Sequence, residues 1–310
     1  MTPWFSGKSF QPEKDIPDLS GKVVLVTGGN AGLGKESILQ LAKHEPKQIF
    51  LAARSQAKAE SAVADIKKTV PNAAITILPL DLSSFDSVKK AVDIFKSRSD
   101  RLDLLINNAG IMATPYSTTT EGYEIQFGTN HIGHTLFTKL LTPTLLETAK
   151  QPGADVRVIQ LSSDGHNLAP SGGIIFDQSA LEKKLTWTRY GQSKLANILF
   201  AREFAKRYPS ITAVSLHPGV IMTDLYGPSQ QSNVLLKWGF WAVGGIFMSD
   251  VPEGAKNQLW AATAPKEDVR KGYYYRPVAR LSKGSAYAQD EKLAEKLWEW
   301  TEEEFKKHGF

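Results

Sequence analysis

Lys22-Val-Val-Leu-Val-Thr-Gly-Gly-Asn-Ala-Gly-Leu-Gly34, continuing into Lys35-Glu-Ser-Ile-Leu-Gln-Leu-Ala42, is the stretch that decides the fold. An apolar run, Val23 to Val26, passes straight into a glycine-rich turn, and the turn opens into residues with helical spacing. Gly28, Gly32 and Gly34 let the backbone approach an anion. The helix start adds free N–H groups and a positive dipole end. A buried strand, a turn almost without side chains and a helix N-terminus together make a phosphate site, so the run predicts a bound nucleotide.

Two nucleotide readings compete. Gly29 to Lys35 also fits the start of the G-x-x-x-x-G-K-[ST] P-loop, but the next residue is Glu36, which puts a carboxylate where the magnesium-holding hydroxyl belongs. The dinucleotide reading departs from G-x-G-x-x-G as well, because the glycines follow Thr-Gly-x-x-x-Gly-x-Gly.

Composition narrows the classes. At 310 residues the chain is long for one core, yet α/β folds of this size are often one domain. The absence of cysteine excludes a disulfide framework, a thiolate nucleophile and cysteine-ligated zinc. The net charge of +5 is spread over basic residues set beside Glu and Asp, with no basic stripe interleaved with aromatics, which argues against nucleic acid as a partner. Residues 1–8 lack a signal-peptide core and there is no Asn-x-Ser/Thr sequon, so a cytoplasmic location is expected.

Strand and helix patterns alternate through the first two-thirds. Strands are predicted at Val23–Val26, Gln48–Ala52, Ala74–Leu78, Leu102–Ile106, Val156–Leu161 and Thr212–Leu216, and helices over about 33–44, 56–69, 84–98, 121–149 and 188–207. This rhythm is that of an α/β protein with a Rossmann-type doubly wound parallel sheet, a three-layer α/β/α sandwich. The near-continuous apolar strands fit a sheet buried on both faces. Residues 1–20 read as a surface extension, 21–310 as a single domain, and 164–186 as a loop rich in Gly, Ser and Asn. Beyond Pro218 the chain turns aromatic and irregular, and its apolar run 235–248 is too short to cross a bilayer. A last helix is expected over roughly 286–307, with Leu293, Leu297, Trp298 and Trp300 on one side.

Tyr190-Gly-Gln-Ser-Lys194 opens an apolar-periodic helix, so Tyr190 and Lys194 project from one face a turn apart. A phenol of pKa about 10 is a poor acid–base catalyst at neutral pH, and a nearby ammonium favours its phenolate. Alone, the pair reads equally well as a packing or cation–π contact. Asn107-Asn-Ala-Gly110 follows the fourth predicted strand, however, Ser162-Ser163 follows the fifth, and Asn130 lies in the helix between. In a parallel sheet these strand ends share the carboxyl edge, where ligands bind.

With those residues assembled, the chain resembles the short-chain dehydrogenase/reductase family over about residues 20–275. The cofactor turn matches Thr27-Gly28 with Gly32-Leu33-Gly34, the adenine-contacting Asp matches Asp81 before Leu82, and the Asn-Asn-Ala-Gly element is intact. Pro218-Gly219 matches the nicotinamide turn, with Thr223 at the position of the carboxamide-reaching hydroxyl. Asn130-His-Ile-Gly-His134 and the long loop before Tyr190 look most like the retinol-dehydrogenase-like branch, which includes carbonyl reductases. The resemblance implies Ser163, Tyr190, Lys194 and Asn130 as catalytic residues. Tyr190 would be the proton donor or acceptor, Lys194 its pKa partner, Ser163 a carbonyl-polarising donor and Asn130 the holder of a relay water. It implies cofactor contacts from Gly28, Asn30, Gly32, Leu33, Gly34, Arg54, Asp81, Leu82, Asn107, Ala109, Gly110, Tyr190, Lys194, Pro218, Gly219, Val220 and Thr223. Ser162 is the alternative serine, although strand alternation lets only one of the two face the crevice.

After the second strand an NAD-binding fold places an acid for the ribose 2′-OH. This chain has Ala52-Ala53-Arg54-Ser55, and a guanidinium suits a 2′-phosphate, with Lys35 and Lys58 as helpers. NADP(H) is therefore expected rather than NAD(H). His131 and His134 stand i, i+3, but no carboxylate or third histidine is near in sequence, so no metal is expected. Trp238, Phe240, Trp241, Phe247 and Met248, within a substrate-covering region of about 221–250, suggest a fairly bulky apolar carbonyl or alcohol. A subunit or membrane-surface contact is the other reading of those residues. A homodimer through the helices after strands four and five stays open, as does a non-catalytic dinucleotide sensor or scaffold.

Overall fold

The computed structural model describes residues 9–219 and 250–310. Its strands are β1 Val23–Thr27, β2 Gln48–Ala53, β3 Ile75–Pro79, β4 Leu104–Asn107, β5 Arg157–Leu161, β6 Thr212–Leu216, β7 Tyr274–Arg276 and β8 Arg280–Ser282. They form one sheet in the order β3-β2-β1-β4-β5-β6-β7-β8, parallel except for the antiparallel β7–β8 hairpin at one edge.

The apolar runs behave as two-faced burial requires. Successive β1 residues alternate, Val23 and Leu25 joining one core and Val24 and Val26 the other. On the first face lie α4 Phe85–Arg98, α6 Gly133–Ala149 and α7 Thr186–Arg207, with α9 Glu291–Lys307 packed over α7. On the second lie α2 Gly32–Ala42, α3 Gln56–Thr69 and α8 Val251–Thr263. Strand order reverses at β1, with β2 on one side and β4 on the other, and the crevice at that reversal is where this architecture holds ligands.

Several boundaries differ from expectation for local reasons. The helix predicted over 121–149 is broken: Glu124 caps a single turn, α5 Ile125–Phe127, through the Phe127 N–H. A π-helical stretch Gly128–Ile132 then leads into α6. The 164–186 loop contains two 3₁₀ turns, Asp164–Leu168 and Gln178–Leu181. The final helix starts at Glu291, where Asp290 accepts from the Leu293 N–H.

Helix α8 and the β7–β8 hairpin carry no expectation from the sequence, yet both left signals. Asp250 caps α8 through the Glu253 N–H, with Pro252 in the first turn, and Tyr273-Tyr-Tyr-Arg276 is a β-favouring run between Gly272 and Pro277. The N-terminal segment is also more than a surface extension. A helical turn, α1 Pro12–Asp15, lies among Phe10, Ile16 and Leu19, which are buried in the α2–α3–α8 core.

Candidate active site

The glycine turn is held by contacts that exclude side chains. Gly28 and Gly32 have positive φ, 65° and 50°. A Cβ on Gly34 would run into the Gly28 carbonyl oxygen and the Asn108 side chain, so the first turn of α2 seats directly on the strand end. The N-cap, Ala31, offers no capping side chain, which leaves the first N–H groups of α2 to a ligand. Gly28, Asn30, Gly32 and Leu33 line a cavity of about 400 Å³. Arg54, Asp81, Leu82, Ala109, Gly110, Pro218 and Gly219 also line it, and so do Ser163, Tyr190 and Lys194. Val220 and Thr223, and the aromatic residues expected to cover the substrate, lie outside the described residues.

Thr27 organises the turn, a role the sequence did not assign it. Its Oγ accepts from the Asn108 and Ala109 N–H groups, at 2.9 and 3.0 Å. That leaves its single proton for His134 Nε2, 2.9 Å away. Nδ1 of His134 then carries the ring proton and donates to the Asn130 carbonyl, 3.0 Å away. Burial holds this imidazole neutral, its pKa pulled down to about 4.

Asn107 corrects an expectation. It is the last residue of β4, and its amide turns away from the cavity to donate to Thr138 Oγ at 2.9 Å and Gln160 Oε1 at 2.8 Å. Asn108, next along, is the one on the cavity wall, and it donates to the Thr27 carbonyl. A side chain one position further on belongs to the opposite face of a strand end, which separates the two roles.

Asn130 also differs from expectation. Its side chain is turned to the protein: Oδ1 accepts from the Ile111 N–H, and Nδ2 donates both its protons, to the Ile111 carbonyl and to Ser193 Oγ, all within 2.9 Å. It fastens the loop after β4 to α7 and does not line the cavity. Gly110 sits between it and Lys194, since a Cβ there would stand 3.2 Å from Asn130 Oδ1 and 3.4 Å from Lys194 Nζ.

Both serines line the cavity, but their hydroxyls take different partners. Ser162 donates to the Lys194 carbonyl at 2.7 Å, which commits it to packing β5 against α7. Ser163 accepts from the Gly165 N–H at 3.0 Å, which leaves its hydroxyl proton and one lone pair. Gly165 touches the phenol next door, for a Cβ on it would lie 2.8 Å from Tyr190 Cε1 and 3.4 Å from Ser163 Oγ. Lys194 Nζ stands 5.7 Å from the centroid of the Tyr190 ring and donates to the Leu161 carbonyl at 3.3 Å. Burial pulls the Lys194 pKa down to about 8, which still leaves it mostly charged at neutral pH.

At the other end, Arg54 is exposed and has no side-chain partner among the described residues. It borders a second, adjoining cavity of about 480 Å³ with Asn30, Lys35 and Lys58. Of the expected helpers, Lys35 is already paired with Asp65 at 2.7 Å, and Asp65 also binds Lys68. His131 and His134 are both buried, which holds their imidazoles neutral, and no group of three or more metal-ligating side chains occurs among the described residues. No helix among them is long and apolar enough to cross a membrane.

Comparison with known proteins agrees with this geometry. The family model described as short chain dehydrogenase matches residues 22–233. A short-chain dehydrogenase/reductase of Armillaria gallica is 43% identical over 297 residues, covering 94% of this chain and 93% of that protein. Retinol dehydrogenase 12 of Mus musculus is 36% identical over 298 residues, covering 95% and 89%. Among solved structures, an uncharacterized protein from Mycobacterium paratuberculosis superposes with a TM-score of 0.72 at 28% identity, covering 96% of this chain and 98% of that one.

Proposed function

Because the chain belongs to the short-chain dehydrogenase/reductase family of oxidoreductases, in its retinol-dehydrogenase-like branch, we propose that it interconverts a carbonyl and an alcohol on a fairly bulky apolar molecule, using NADP(H). The observation that carries this reading is the meeting of Ser163, Tyr190 and the buried, charged Lys194 on the cavity that begins at the glycine turn. The residues present fit a dinucleotide: the cradle at Gly34 excludes even a methyl group, and the α2 N-terminus is uncapped. When bound, the nicotinamide supplies or accepts the hydride.

The chain's own residues do the rest. The N–H groups at the start of α2 bind the diphosphate, and Arg54 with Lys58 binds the 2′-phosphate. In the reducing direction Tyr190 gives a proton to the carbonyl oxygen as charge develops there, and in the oxidising direction it takes one from the alcohol. The Lys194 ammonium favours the phenolate left behind. Ser163 donates its free hydroxyl proton to the same oxygen, a single oxyanion donor.

Tyr190→Phe is expected to abolish NADPH oxidation across a panel of apolar ketones and aldehydes while NADPH binding, read by fluorescence, persists. A fully active Tyr190→Phe protein would refute the mechanism. Retained binding with no turnover by the unsubstituted chain on any carbonyl would favour a sensor instead.

A further inference from the structure

The turn that carries Ser163 is tied to a part of the chain more than a hundred residues away. Asp164, the next residue, receives two hydrogen bonds on Oδ1, from the Tyr274 hydroxyl and from Arg276 Nε, each 2.9 Å long. Both donors lie on β7. His166, two further on, is buried with both ring nitrogens engaged: Nδ1 lies 2.7 Å from the Ser163 carbonyl, and Nε2 lies 3.0 Å from the Ser285 N.

The bonding fixes the tautomer. The Ser163 carbonyl can only accept, so Nδ1 carries the proton; the Ser285 N–H can only donate, so Nε2 is bare. One neutral imidazole thus joins the serine's own carbonyl to the loop after β8. Its ring packs edge-on against Tyr274, at 5.2 Å between centroids. Gly284 lets the loop approach, because a Cβ there would stand 3.2 Å from His166 Nε2.

We propose that His166 is a positioning residue for Ser163: it sets the serine hydroxyl against Tyr190 by pinning the Ser163 carbonyl to the backbone of Ser285, with Asp164 as a second, outer tie to β7. This rests on Ser163 and Tyr190 being the reacting pair. The Asp164–Arg276 contact is half-exposed and screened by water, so it is the weaker tie. The His166 bridge is dry and bonded at both ends. The span it controls is short, since Gly165 already touches both Ser163 Oγ and the Tyr190 ring.

The test is a double-mutant cycle read with NADPH and whichever carbonyl of the panel the unsubstituted chain turns over fastest. His166→Phe keeps a flat ring and removes both bonds. It is expected to lower kcat about tenfold to hundredfold, the cost of a small misplacement at a reacting centre, with the NADPH dissociation constant unchanged. In a Ser163→Ala background the same substitution is expected to cost less than about twofold, because the group it positions is gone. His166→Gln, polar and of similar reach, is expected to recover part of the loss. If His166→Phe does not fold, the cycle run with His166→Gln reads the same coupling. An equal loss in both backgrounds, or an unchanged kcat, overturns the proposal. Full activity of Ser163→Ala alone would instead overturn the reading of the serine, a separate failure.

Discussion

Lys194 keeps a charge where the surroundings resist it. Burial holds its pKa at about 8 against 10.5 for the free side chain, and its one hydrogen-bond acceptor among the described residues, the Leu161 carbonyl, is 3.3 Å away. Between those two values the unfolded chain binds more protons than the folded one, so stability rises as pH climbs from about 8 to about 10.5. Below pH 8 the penalty is fully present. Lys194→Met is therefore expected to be inactive yet more stable at pH 7, by about 2–4 kcal/mol, and to lose that rise with pH. Chemical denaturation at pH 7 and at pH 10 checks both. Asp65 offers a second test at this scale. Its carboxylate, held near pKa 2 chiefly by the Lys35 hydrogen bond, neutralises Lys35 at the wall of the cavity that Arg54 also borders. Asp65→Asn should tighten NADPH binding roughly two- to fivefold without changing NADH binding, whereas Arg54→Ala should weaken NADPH alone. Equal effects on both dinucleotides would remove Arg54 from the 2′-phosphate site. That Tyr190 and Lys194 share a cavity could be read from the sequence because helical spacing puts them on one face, whereas Ser163 rested on the family resemblance, with Ser162 as the alternative. Asn107 and Asn130 could not be read that way, because their orientation depends on partners such as Gln160 and Ile111 that only the folded chain brings near.

The glycine turn and α2 act as one unit. An added Cβ at Gly34 would meet a backbone carbonyl, which cannot rotate aside as a side chain can. Gly34→Ala is expected to lower stability by roughly 1–3 kcal/mol. It should also weaken NADPH binding at least tenfold, by calorimetric titration. Binding at full strength would mean that the α2 N-terminus is not the phosphate cradle. The long, strongly patterned elements were legible because burial on both faces of the sheet writes the apolar runs directly into the sequence. β7, β8 and the π-helical stretch were not: three residues are too few to show a period, and a π-turn at Gly128–Ile132 has the same residue types as the helix it interrupts. The cap signal at Asp250 and Glu253 was readable but lay beyond a stretch whose sequence shows no regular period.

Across the whole molecule, α9 covers the face of α7. Trp298 stacks on Phe200 with 7° between the rings, Arg207 lies over Trp298, and Lys139 of α6 pairs with Glu302 at 2.6 Å. A dimer through α6 and α7 would have to displace these contacts. Light scattering is expected to show no association through that face in the full chain, and a stable dimer lost on substituting exposed residues of α6 would contradict this. Phe305, fully buried against Phe85, anchors the same helix. Phe305→Ala should cost about 3–5 kcal/mol while leaving kcat of the folded fraction unchanged. The parallel, doubly wound character of the sheet followed from alternating strands and helices, but the path of the C-terminal segment back to the serine turn rests on single contacts such as Ser285 to His166, which no periodicity announces.

The Thr27 hydroxyl has no spare capacity: two N–H groups point at it and its one proton goes to His134. Valine would reproduce its outline and strand both N–H groups together with an imidazole nitrogen. Serine would keep the bonding and lose only a methyl group from the β1 terminus. Of the twenty residues, then, two can stand at position 27 without redrawing the bonds that join β1 to the turn after β4 and to His134 of α6. The threonine of this turn is a constraint on how the sequence can drift, set by valence and independent of phosphate binding.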